Sequence, residues 1–194
     1  PPHSIIRGKG GNLMSEFTFD LQRFDEAITT LTQESFTNAS NTSQGLKTGT
    51  IKVGEQDVSV YLLDSGDYTI GDGTAAVDIL LDKPIVVLSG ATVNLTMNGK
   101  SKNAVTISDA TNDAGFEKIK SLIAVQTGGV LNITGGSSPY NFVKATNVDS
   151  AVEIIAGTTL SEENPVQTLT TEKITLTGKN YGIKNTTNAN IQIA

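Results

Sequence analysis

Short alternations of aliphatic and polar residues, each stopped by glycine, recur along the chain. Thr92-Val-Asn-Leu-Thr-Met-Asn-Gly99, Gly129-Val-Leu-Asn-Ile-Thr-Gly135 and Lys173-Ile-Thr-Leu-Thr-Gly178 share this form. A period of two predicts a strand with one buried and one wet face, and the glycine lets the backbone turn. Recurrence predicts a coiled, all-β solenoid in which each rung covers its neighbour. By the same pattern strands are expected at Ile51–Val53, Val58–Leu62, Tyr68–Ile70, Val77–Leu81, Ile85–Leu88, Val93–Met97 and Ala104–Ile107. They continue at Ser121–Val125, Val130–Ile133, Asn141–Lys144, Ala151–Ile155, Lys173–Thr177, Tyr181–Lys184 and Ile191–Ile193. Val93, Leu95, Met97, Leu131, Ile133, Ile174 and Leu176 are then the inward residues. The landmark glycines Gly99, Gly135 and Gly178 lie 36 and 43 residues apart, more than one compact coil needs. The excess falls on two polar insertions, Ser108–Lys120 and Gly157–Pro165, expected to leave the stack as loops, with a helical turn in Asp113–Lys120. A β-sandwich is the structural rival, since evenly spaced short strands also build one.

The ends read differently from this body. Lys9-Gly-Gly-Asn-Leu13 before Met14 is encodable by a purine-rich ribosome-binding stretch, so residues 1–13 read as upstream read-through or as a tag. Setting them aside removes Arg7 and Lys9 and takes the net charge from −6 to −8. Residues 14–33 are expected to form a leader and cap: a short strand from Phe17, then a helix from about Asp20 carrying Leu21, Phe24, Ile28 and Leu31 on one face. Residues 34–50 read as a polar linker and 51–194 as the solenoid. Asn190-Ile-Gln-Ile-Ala194 stops without a turn, which reads as a truncated stack or as an end that docks on another subunit.

Composition narrows the chemistry. The 194 residues are 37% hydrophobic and only 18% charged, with no cysteine, and no apolar run is long enough for a membrane helix. A net charge of −6 without a basic stripe argues against nucleic acid as a partner. Beyond Arg23 there is no arginine or histidine, and the chain has no tryptophan. An imidazole-activated nucleophile is therefore absent from the body, and a lyase would have to use lysines such as Lys83, Lys100 or Lys102. No catalytic residue and no cofactor are assigned. Asp64, Asp67 and Asp72 stand near flexible glycines and are candidate ligands for a hard cation such as calcium. Tyr140 and Tyr181 are the candidate platforms for stacking against sugar rings. Tyr68, in a strand, is expected to serve core or edge packing.

Asp64-Ser-Gly-Asp-Tyr-Thr-Ile70, Pro84-Ile-Val-Val-Leu88, Val93-Asn-Leu-Thr-Met-Asn-Gly99 and Ile123-Ala-Val-Gln-Thr-Gly-Gly-Val-Leu-Asn-Ile-Thr-Gly-Gly136 together resemble right-handed parallel β-helix proteins of the pectin-lyase-like kind. Phe17-Thr-Phe-Asp-Leu-Gln-Arg-Phe24 is similar to a leader on surface or phage-derived proteins of anaerobic Firmicutes. The resemblance implies a right-handed parallel β-helix with a short N-terminal cap, in a family that includes lyases, adhesins, carbohydrate-binding modules and tail proteins. The expectation is a non-enzymatic, extracellular β-helix, although no signal peptide is visible. It would serve in adhesion or as a stalk, with surface glycans or neighbouring subunits as partners. The alternatives are a fragment of a polysaccharide lyase or glycosidase, and a phage tail-fibre segment.

Overall fold

A computed structural model describes residues 27–110, 114–136, 138–157 and 167–194. Its strands are β1 (Thr29–Leu31), β2 (Leu46–Val53), β3 (Gln56–Leu63), β4 (Gly66–Ile70), β5 (Val77–Leu81), β6 (Ile85–Val87), β7 (Thr92–Met97) and β8 (Val105–Asp109). There follow β9 (Ser121–Gln126), β10 (Val130–Thr134), β11 (Asn141–Lys144), β12 (Ser150–Ile155), β13 (Gln167–Glu172), β14 (Thr175–Thr177), β15 (Tyr181–Asn185) and β16 (Asn190–Ile193). One five-residue helix, α1 (Gln33–Thr37), lies between β1 and β2. Three sheets result: β1-β4-β7-β10-β13-β16 (sheet A), β2-β3-β6-β9-β12-β15 (sheet B) and β5-β8-β11-β14 (sheet C).

Within the body each strand lies parallel to the one three places later, so consecutive strands visit the three sheets in turn. Among the described strands only the β2–β3 hairpin pairs antiparallel. Two face-to-face antiparallel layers are thereby excluded. Side chains stack in columns across the rungs. Tyr68, Leu95, Ile133 and Thr171 form one inward column of sheet A, and Ile79, Ile107, Val143 and Leu176 one of sheet C. Tyr61, Ile85, Ile123 and Val152 do the same in sheet B. These columns meet in a single core. Each buried aliphatic side chain contributes roughly 1.5–3 kcal/mol, and it does so only because the next rung covers it.

The N-terminal side is sealed by chemistry suited to free strand edges. β1 pairs with the edge of sheet A, the hairpin strand β2 with sheet B, and the Gln33 side chain with sheet C. Its amide accepts from Leu80 N–H at 2.7 Å and donates to Leu80 C=O at 3.2 Å, replacing a neighbouring peptide group. Thr32 and Ser35 form a capping box at the start of α1, and Phe36 packs edge-on against Tyr61 with ring centroids 5.1 Å apart.

Several expectations change. The described part of the expected N-terminal helix is strand at Thr29–Leu31, with Leu31 buried and Ile28 exposed; residues 14–26 lie outside the described residues. The stretch expected as a linker, 34–50, contains most of α1 and most of β2, because a hairpin can hold Leu46 and Ile51 on opposite faces. The insertion after β8 does not simply leave the stack. The helical turn expected within it is present as a 3-10 turn at Ala114–Phe116, but Phe116 and Ile119 fold back and are buried. Most of Gly157–Pro165 lies outside the described residues. Finally, Thr92–Gly99 and Gly129–Gly135 are true rung-mates, but Lys173–Gly178 is not their equivalent. It stacks on β11 in sheet C, and the strand that continues sheet A is Gln167–Glu172.

Candidate functional site

The corners between sheets A and C carry the densest polar chemistry. After β4 the chain turns through Gly71 and Gly73, both at positive φ (+74° and +77°). Between them Asp72 closes an Asx turn, its Oδ1 accepting the Thr74 N–H at 2.8 Å and the Thr74 hydroxyl at 2.6 Å. One coil later Asn98 donates to Thr69 Oγ1 and to the Gly71 carbonyl, and Asn103 donates to the Gly73 carbonyl at 3.0 Å. In the next coil Asn141, fully buried, accepts the Gly99 N–H at 2.7 Å and donates to the Gly135 and Ser138 carbonyls. Each corner asparagine thus satisfies peptide groups of turns that strand pairing leaves open. Gly99 is required here, since a Cβ would stand 2.0 Å from the Tyr140 carbonyl oxygen.

These turns and the N-terminal cap enclose an open groove of about 700 Å³, lined among others by Thr30, Thr32, Thr69, Asp72, Asn98 and Lys100. The Asp72 carboxyl is held below its usual range by the Thr74 hydroxyl first, then the Thr74 N–H, with Lys100 a smaller contributor. Asp72 and Lys100 stand close enough to feel each other yet form no ion pair. The register explains the meeting. Ile70 pairs with Met97, which carries Asp72 to the level of Gly99, one residue before Lys100.

The sequence-derived candidates are spread over the surface. Asp64 pairs with Lys47 at 2.7 Å, and Asp67 accepts from Asn94 Nδ2 at 2.7 Å; both border a smaller groove of about 330 Å³. Asp72 lies beyond the other end of β4, a strand about 13 Å long. Among the described residues no group of three His, Cys, Asp or Glu side chains is placed to hold a metal ion. Tyr140 (39% exposed) precedes β11 at the A–C corner, whereas Tyr181 (50% exposed) opens β15 at the corner between sheets C and B. They do not share a platform. Tyr68 is buried, and its hydroxyl donates to the Asp64 carbonyl at 2.8 Å.

A second charged cluster lies on the outer side of sheet B. Lys184 bridges Glu153 at 3.2 Å and Asp149 at 3.5 Å, and Asn180 donates to Asp149. The Glu153 carboxylate raises the Lys184 ammonium above its usual range, and the Asn180 amide foremost lowers Asp149. Lys184 thus ties the β15 rung to Glu153 of β12 and to Asp149 beside it.

The corner asparagines and Thr69 were not singled out by sequence. The available signal was the Asn98-Gly99 turn dipeptide; their mutual contacts depend on stacking. No described helix is long and apolar enough to cross a membrane. Comparison of the chain with protein-family models, curated proteins and solved structures finds no match.

Proposed function

We propose that the chain forms a right-handed parallel β-helix that acts without catalysis at a cell surface, as a structural or adhesive stalk touching glycans or neighbouring subunits. The observation that carries this reading is the outer face of sheet A. There Asp67, Asn94, Asn132, Thr170 and Gln192 stand in one column across five rungs. Asn132 donates to Asn94 at 2.8 Å, and Asn94 donates to Asp67. A pre-ordered polar surface repeating at the rung spacing of about 4.8 Å suits weak, repeated contact with a repetitive ligand. Right-handedness rests on the general hand of crossovers between parallel strands.

The experiment is co-sedimentation of the 194-residue chain with insoluble cellulose, chitin and peptidoglycan, with the supernatant assayed for new reducing ends and unsaturated sugars. Saturable retention without product is expected. Turnover that disappears when one aspartate or lysine is substituted would establish the enzymatic alternative instead.

A further inference from the structure

The A–C corner groove contains a carboxylate and an ammonium that are not joined in an ion pair. Asp72 is held by two donors from Thr74, both on Oδ1, and its carboxylate forms no ion pair among the described residues. Lys100 makes no ion pair among the described residues. Its stem is nonetheless positioned: a Cβ on Gly73 would meet Lys100 Cε at 2.5 Å, so the aliphatic chain lies on the bare glycine. Both groups line the same groove, and both residues are exposed.

The charge pair selects the ligand. A simple anion would be drawn to Lys100 and repelled by Asp72, and a simple cation the reverse. An apolar molecule would bury both charges unpaired. A fitting ligand carries no net charge and offers a donor and an acceptor close together, which under the glycan reading means adjacent hydroxyls. A vicinal diol does this, one hydroxyl donating to the carboxylate while its neighbour accepts from the ammonium. We propose that this groove binds a sugar unit of a neutral oligosaccharide through a vicinal diol bridging Asp72 and Lys100, with Thr30, Thr32 and Thr69 lining the walls. The volume of about 700 Å³ lies within the range of small-molecule sites. Because Thr74 holds the Asp72 carboxylate before binding, that side chain has little freedom left to lose. This inference rests on the glycan-contacting reading above and gives it a specific site and ligand class.

The test titrates the 194-residue chain with cellotetraose, mannotetraose, xylotetraose and galactotetraose, read by saturation-transfer NMR and calorimetry. Asp72→Asn and Lys100→Met are measured alongside, with circular dichroism to verify their fold. At least one tetraose should bind, and each substitution should weaken it about ten-fold or more, as loss of a charge-assisted hydrogen bond does. The same sugar after periodate cleavage of its diols should not bind. Unchanged affinity in both variants, or for the cleaved sugar, overturns the proposal and leaves the glycan reading standing. The proposal is likewise overturned if no tetraose binds while insoluble polysaccharide still retains the chain. If polysaccharide is not retained either, both readings fall.

Discussion

Sheets A and B share one construction on their inner faces and diverge on their outer faces. On sheet A the outer column Asp67–Asn94–Asn132–Thr170–Gln192 is polar in every rung. On sheet B the column Leu62–Val86–Ala124–Glu153–Lys184 begins apolar and ends as an ion pair. Its apolar part joins Ile51, Val58, Val60 and Ile119 in a second small core. Ile119 arrives from the segment between β8 and β9, which therefore works as a strap over sheet B. No comparable apolar cluster forms over sheet A among the described residues. The same stack of strands thus carries one outer face covered by an apolar cluster and one that is polar in every rung.

The sharpest way to break this contrast is to empty the strap. Ile119→Ala should cost about 2–4 kcal/mol in urea denaturation, the usual range for a buried isoleucine whose site cannot collapse. A loss below about 1 kcal/mol would mean that the strap lies on sheet B without contributing to its core, and the two outer faces would then differ only in composition.

The same contrast marks what the chain discloses before it folds. Alternation in Val93–Met97 and Val130–Ile133 is strong because aliphatic residues occupy every inward place, and both are strands in register. Gln167–Glu172 hides the same role, since Leu169 is its only aliphatic residue and buried Thr168 and Thr171 flank it. Lys173–Gly178 imitates the earlier rungs yet joins sheet C, because all three sheets obey the same period of two and alternation cannot say which one a strand enters. The groove was less legible still. Asp72 reads as a candidate cation ligand and Lys100 as one of the lysines a lyase could use, and only the rung register brings them together. The strap could not be read either: Phe116 and Ile119 lack any period, Phe116 joining the main core and Ile119 the small cluster on sheet B, both contributed by other rungs.

A smaller effect should treat the two sheets alike, because it arises inside. Tyr61 faces the core from sheet B and donates to Asp82 at 2.8 Å; Tyr68 faces it from sheet A. Burial, foremost, raises both phenols, Tyr68 to about 12 and Tyr61 further, with Asp82 and Asp64 adding to it. An unfolded tyrosine ionises near pH 10. The raised folded values mean that this contribution to stability is complete below about pH 10 and is lost as pH rises through about 12. Denaturation midpoints should therefore be flat from about pH 8 to about 9.5 and fall beyond about pH 10. Tyr68→Phe should lose about 1 kcal/mol at about pH 8, for the hydrogen bond to the Asp64 carbonyl, and show a shallower alkaline fall. An equally steep fall in Tyr68→Phe would assign the alkaline response to other groups.

The smallest effect belongs to the polar ladder. Asn94→Ala removes both the bond to Asp67 and the one received from Asn132. Asn94 is exposed, so water replaces what is lost and the strand pairing of β7 with β4 and β10 is untouched. The cost in urea denaturation should stay under about 1 kcal/mol. If sheet A is a contact surface, retention on insoluble polysaccharide should nevertheless weaken, because the alanine interrupts an ordered row that the ligand meets repeatedly. A loss above about 2 kcal/mol would show the opposite division of labour: the ladder would be holding the rungs together, and the contrast between a covered face and a contacting face would have to be drawn elsewhere.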